Sequence, residues 1–412
     1  MTSRLIFPAG LILFFAVSIT TFADDWPQWR GPDRDGKCKE TGLLQEWPEG
    51  GPPLAWRVNG LGVGFSTVSI SNGVIYTMGD FKDDGCYAIA IKEADGSPVW
   101  KTRISDTSNY GNFPGPRSTP TVDGGQVFVL SPHGDLACLD AKSGEKKWAV
   151  NYEDDFNGKP MSTWHYSESV LVDGNRVIGT PGGKDGTLIA LDRNTGKLLW
   201  RTKDWTAKGG YSSVIVATIE GIRQYVQLTE NSVAGVDPET GKVLWKADRE
   251  GKVAVITTPV VSGNIVFVTS AYDIGSDAFR ISRDGDQWST EQLYHNSKFK
   301  NHHGGVVLLN GYVYGSNGNT FCCADVKTGD FTFQGRSVGK GSTLYADGYF
   351  ILRSEKGPVA LIEATPDELV EVSSFEQPDR SGHRSWAHPV IANGKLYLRD
   401  AELLLCYDIK KK

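Results

Sequence analysis

The stretch ALDRNTGKLLW, residues 190–200, decides how this chain is read. Its order of residue types recurs in GVDPETGKVLW (235–245), CLDAKSGEKKW (138–148), AIKEADGSPVW (90–100) and CADVKTGDFTF (323–333). A small residue ends an alternating apolar run, and an Asp is placed to accept hydrogen bonds from the turn backbone. Thr or Ser precedes a Gly that can take positive φ, and an aromatic residue follows in the next strand. Each stretch therefore predicts a β-hairpin whose Trp or Phe packs on a neighbour.

Upstream of each hairpin lies a second pair of strands around a Gly turn, as in STPTVDGGQVFVLS (118–131), TTPVVSGNIVFVTS (257–270) and AHPVIANGKLYLRD (387–400). The alternation has period two, which gives four antiparallel strands per unit. The unit recurs about every 37 to 52 residues, the spacing of propeller blades. Eight units are counted, and the last breaks off at LLLCYDIK (403–410) before its aromatic strand. A strand of that kind, PPLAWRV (52–58), stands ahead of the first full unit. These irregularities predict an all-β, eight-bladed β-propeller of four-stranded antiparallel blades, closed by an N-terminal strand that completes the last blade. Closure leaves only short, protected edges.

Composition agrees: 48 glycines and 12 tryptophans fit many short strands joined by tight turns. The net charge of -6, with signs mixed along the chain, offers no basic stripe for phosphates and excludes nucleic acid as the expected partner. Residues 1–23 combine Arg4, an apolar run and small residues near Ala23, the pattern of a cleaved secretory signal. The expectation is a single propeller domain over residues 24–412, periplasmic or secreted, with no transmembrane segment after signal cleavage.

At these repeats the chain resembles the PQQ-like β-propeller repeat superfamily, whose tryptophan-docking pattern A-x-D-x-x-[ST]-G-x-x-x-W is met in full at residues 190–200. In layout it is most similar to the outer-membrane assembly propeller (BamB-like) and short PQQ-repeat proteins. The resemblance implies a scaffold that binds a protein partner or a small polar ligand, with no cofactor. The alternative it implies is a PQQ- and calcium-dependent quinoprotein oxidoreductase acting on an alcohol or sugar.

The adjacent pair Cys322-Cys323 tests that alternative, because the larger quinoprotein alcohol dehydrogenases stack such a pair on their quinone. Here Cys323 aligns with Cys138 and Cys406, and with Ala90, Ala190 and Gly235, in the small-residue slot. A slot that accepts Ala, Gly or Cys responds to volume rather than thiol chemistry, and neighbouring strand residues point to opposite faces. The pair is read as packing. In an exported chain the six cysteines allow 15 disulfide connectivities, and the spacing selects none.

In a propeller, the residues just before each innermost strand form one mouth of the central channel. Here they include Arg117, Trp164, His165, Lys300, His302, His303, Trp386 and His388, the candidate ligand- or cofactor-binding residues. Arg117, Lys300 and Lys340 favour an anionic ligand. Under the quinoprotein reading, Trp164 or Trp386 would stack on the quinone, and Glu168 would serve calcium. No metal site is expected: His302 and His303, adjacent on a strand, would point apart, and His165, His303 and His388 come from separated blades. GPDRDGK (31–37) and EDDFNGK (153–159) lack the later bidentate Glu of a calcium loop and read as turns. No CxxCH haem site, G-x-S-x-G elbow, HExxH helix or phosphate loop is found. The degenerate fifth hairpin, within residues 273–298, marks an atypical blade where a partner would dock.

Overall fold

The computed structural model describes residues 25–108 and 111–411. The signal-peptide expectation for residues 1–23 lies outside them. Eight antiparallel sheets follow one another along the chain as the blades of a propeller, each running in order from an inner to an outer strand. Blade eight is assembled from both ends: Leu54–Val58 pairs antiparallel with Leu403–Asp408 and supplies its outer strand. The seam is reinforced by Arg399 of blade eight, which donates to the Leu61, Gly62 and Ser66 carbonyls on the approach to blade one.

The repeated motif explains how the blades lock. In each hairpin the small residue lies directly opposite the docking aromatic: Ala90 faces Trp100, Cys138 faces Trp148, Ala190 faces Trp200, Gly235 faces Trp245, Cys323 faces Phe333 and Cys406 faces Trp56. Asp140, Asp192, Asp237 and Asp325 each accept two backbone N–H groups of the following turn. That turn presents its Gly to the preceding blade. The Trp148 ring lies where a Cβ on Gly196 would be, 2.8 Å away, and Trp148 Nε1 donates to the Arg193 carbonyl at 2.8 Å. Trp56, Trp100 and Trp200 make the same pair of contacts with Gly96 and Glu93, Gly144 and Ala141, and Gly241 and Pro238.

Blade five has the degenerate hairpin read from the sequence, yet it still docks on its neighbour. Its small residue is Ala278, opposite Tyr294, whose hydroxyl donates to the Val326 carbonyl at 3.0 Å while its ring covers Gly329. The blade's outer hairpin is long, Gly275–Asp284 against Gln287–Asn296, so it presents no motif turn to blade four. Trp245 accordingly donates to Gln224 of its own blade.

All six cysteines are buried. Cys322 packs among residues of blades five and six, and Cys323 among residues of blades six and seven. The pair therefore points to opposite faces of one strand, Thr320–Asp325, and fills space between blades.

Residues 25–40 were not anticipated at all. They form a plug inside the ring, with bonds to the inner strands of seven blades. Trp26 exchanges backbone hydrogen bonds with Ile70 of blade one, and the Pro27 carbonyl accepts from Val122 of blade two. Arg34 donates to the Ser169 and Val170 carbonyls of blade three, Trp29 Nε1 to Thr258 of blade five, and Arg30 to the Val306 carbonyl of blade six. Lys37–Cys38 then adds a parallel strand to Gly341–Ala346 of blade seven, and Glu40 accepts from the Gly394 N–H of blade eight. The GPDRDGK segment is a turn, as read, but it is the tip of this plug. Arg30 and Arg34 sit there with φ of 62° and 57° and are fully enclosed.

Candidate functional site

Inner strands are entered from one face of the ring, and the plug contacts them further along, toward the other. What remains at the entry face is a cavity of about 180 Å³. Its wall is built by the loops before the inner strands of blades one to six and eight, and its lining includes Trp29 at the tip of the plug. Six of the eight residues singled out from the sequence line it: Arg117, Trp164, His302, His303, Trp386 and His388. The other two do not. His165 turns toward His133 and Glu153, with ring centroids 5.8 Å apart for the two histidines. Lys300 reaches outward to Asp273 at 2.6 Å.

The lining is dominated by aromatic rings. Phe113 stacks on Trp386 at 4.8 Å between centroids, Phe65 lies 4.8 Å from the same indole, and Trp29 packs 4.5 Å from His388. Tyr211 and Tyr272 complete the wall. Arg117 donates to the Phe113 carbonyl at 2.8 Å and spreads over Phe65 and Trp164, 5.6 Å from each ring. A guanidinium held on aromatic faces keeps its charge while presenting its edge to a ligand.

The histidines behave differently from expectation. His302 and His303 precede the strand Val306–Leu309 in a bend rather than on a strand, and the bend brings their Nδ1 atoms within 3.1 Å. His302 Nε2 meets the Tyr272 hydroxyl at 3.0 Å, and His388 Nε2 donates to the His303 carbonyl at 2.9 Å. His303 Nε2 is buried with no protein partner. Desolvation, with nearby positive charge, pulls His302 down to about 4 and His388 to about 3, and pushes His303 well below its ordinary value. The three imidazoles are therefore neutral at neutral pH. Arg117 is then the single full charge among the described lining side chains.

This lining was tested against a PQQ and calcium site. Calcium takes six to eight oxygen ligands, usually with carboxylates among them. Among the described residues, no Asp, Glu, Asn or Gln lines the cavity, and no cluster of three His, Cys, Asp or Glu suited to a metal occurs. Glu168 is enclosed and accepts from the Tyr152 hydroxyl and from the N–H and hydroxyl of Thr180. Burial raises its carboxyl to about 7. Glu168 faces these internal donors, so calcium does not fit the cavity.

Four lining residues escaped sequence reasoning: Trp29, Phe65, Phe113 and Tyr272. Tyr211, which stands just before an inner strand, lies at the mouth as its register implies. Trp29 carries no repeat signal, because it belongs to the plug.

The fold and this channel-mouth cavity define a propeller of the quinoprotein and assembly-factor type. The family profile described as "Outer membrane protein assembly factor BamB" matches residues 54–162 and 84–335, and the chain belongs to that family. It is 26% identical over 267 residues to the outer membrane protein assembly factor BamB of Burkholderia pseudomallei, covering 62% of this chain and 61% of that protein. It is 27% identical over 161 residues to a quinoprotein ethanol dehydrogenase of Pseudomonas aeruginosa, covering 36% of this chain and only 25% of the relative. The crystal structure of BamB from Moraxella catarrhalis superposes with a TM-score of 0.63 at 14% identity, over 87% of this chain and 100% of that one. Quinohemoprotein alcohol dehydrogenase from Comamonas testosteroni gives 0.64 at 13%, over 94% and 81%. These structural likenesses establish the fold.

Proposed function

We propose that this chain is an exported binding propeller: a scaffold whose channel-mouth cavity recognises a ligand or partner group and performs no redox chemistry of its own. The observation that carries this reading is the donor set of the cavity, which among the described residues combines one guanidinium, neutral imidazoles, hydroxyls and aromatic rings with no carboxylate. Such a lining favours a flat, largely apolar group bearing a negative charge, which packs against the cluster of Phe113, Trp164 and Trp386 and meets Arg117. The similarity to outer membrane protein assembly factors supports a protein partner as the source of that group.

The test is titration calorimetry with 2-naphthoate, an aromatic monoanion, against residues 24–412. Saturable binding that Arg117→Ala weakens at least tenfold supports the reading. No heat of binding for the naphthoate, or equal affinity in the variant, overturns it.

The second reading, a PQQ- and calcium-dependent oxidoreductase, draws on the dehydrogenase relatives and on the stacked Phe113 and Trp386 rings. A rise in melting temperature on adding PQQ with calcium, together with dye-linked oxidation of an alcohol, would favour it over binding alone.

A further inference from the structure

We infer that the central cavity continues, past a gate formed by Tyr272 and His302, into an annex over blades five to seven, and that the ligand carries an anionic tail that lies there. This rests on the binding role proposed for the cavity. The annex has a volume of about 320 Å³ and is lined by Asp273, Lys300, His302, Asn317 and Lys340, among others. Tyr272 and His302 line both spaces, and the bond between the Tyr272 hydroxyl and His302 Nε2 forms the partition.

Two observations make the partition a gate rather than a wall. First, the backbone there is strained: Tyr272 and Asp273 have φ of 58° and 65°, and Val253, a β-branched residue across the rim, has φ of 54°. Such conformations cost free energy in non-glycine residues and persist where the surroundings or the function hold them. Second, Tyr272 is 42% exposed, and its ring meets His302 edge to face with centroids 5.3 Å apart, so one neighbour holds most of its inner side. The hydrogen bond and ring contact to His302 hold it shut, and swinging it outward joins the two spaces.

The charge of the annex selects the tail. Lys300 and Lys340 stand against one lining carboxylate, Asp273, whose own side chain is 87% exposed. Exposed ion pairs are weak, so a ligand carboxylate or phosphate displaces Asp273 from Lys300 at little cost. Lys340 is held 3.5 Å from Glu355, which also accepts from Trp386 Nε1; the annex and the aromatic cavity are thus tied to the same carboxylate. The recognised ligand is an aromatic body with one anionic end at Arg117 and a second, longer anionic end across the gate.

The experiment compares 2-naphthoate with 6-carboxy-2-naphthoyl-glutamate, the same body with a second, tailed anion, by calorimetry at low and moderate salt. In the wild-type protein the tailed probe is expected to bind at least tenfold tighter. That advantage should vanish in the Lys300→Ala, Lys340→Ala double variant while 2-naphthoate binds as before. Equal affinity of the two probes in the wild-type protein, with 2-naphthoate still bound, overturns the annex and leaves the binding role standing. An advantage that survives the double lysine variant also overturns it. Failure of 2-naphthoate to bind overturns the binding role, and the annex with it.

Discussion

Two arcs of the ring are held together differently. From blade eight through blade four, Trp56, Trp100, Trp148 and Trp200 each lie on the turn glycine of the next blade and donate to a turn carbonyl there. From blade five to blade seven the fastening decays. Tyr294 replaces Trp and Phe333 has no donor, while the outer strand of blade seven, Glu371–Phe375, carries neither Trp nor Tyr. The plug compensates on this weaker side, where Arg30 bonds blade six and Lys37–Cys38 joins the sheet of blade seven. The strained rim residues Tyr272 and Asp273 and the histidine pair His302 and His303 fall in this arc as well. Where the docking contacts are relaxed, bonds from the plug stand beside them.

The largest expected effect tests the regular arc. Gly196→Ala adds a Cβ at φ +71° that meets the Trp148 ring, whereas Gly174→Ala adds one at φ +59° with nothing within 4 Å. Urea unfolding should report a loss of about 3 kcal/mol for the first and about 1 kcal/mol for the second. In a Trp148→Ala background the two penalties should converge; if they stay apart, ring contact is not what fastens the blades.

On the weaker arc, Arg30→Ala should cost about 2 kcal/mol, because it strips the donor from the Asp35 and Val306 carbonyls inside the ring. Hydrogen exchange should then rise first in blades six and seven. A uniform rise around the ring would show that the plug does not favour that side.

The mouth adds a pH dependence. The folded-state value of His388 lies at about 3, below its ordinary 6.5, so the folded protein binds fewer protons than the unfolded chain between those values. Stability is present above pH 6.5 and declines as pH falls toward 3, by about 2 kcal/mol at pH 5 from this residue. Glu168, raised from 4.5 to about 7, works in the opposite sense, since its stabilising protonated form is lost as pH rises from 4.5 through 7. The acid limb of the stability curve should flatten in His388→Phe, and an unchanged limb would contradict the assignment.

The smallest effect separates Tyr294 from its tryptophan counterparts. Tyr294→Phe keeps the ring over Gly329 and removes one hydrogen bond to Val326, so a loss of about 1 kcal/mol is expected by chemical unfolding. A loss equal to that of Trp148→Ala would place the burden of docking on the hydroxyl instead of the ring.

The sequence by itself determined the blades, their number and their closure, because each depends on local turn chemistry and on a strand period that repeats: Asp192, Gly196 and Trp200 can be read without neighbours. It also marked the mouth residues by register, and six of eight converge on one cavity. Only the tertiary structure decided that His165 and Lys300 turn away, since a single bend or an ion pair with Asp273 redirects a side chain without altering any pattern. The same holds for His302 and His303, which a bend brings into contact, and for Tyr294, which docks with a chemistry the motif does not name. The plug is the extreme case. Residues 25–40 have no period and no repeat, and their partners lie on seven blades spread along the chain, so nothing short of the closed ring specifies where Trp29, Arg30 and Arg34 belong.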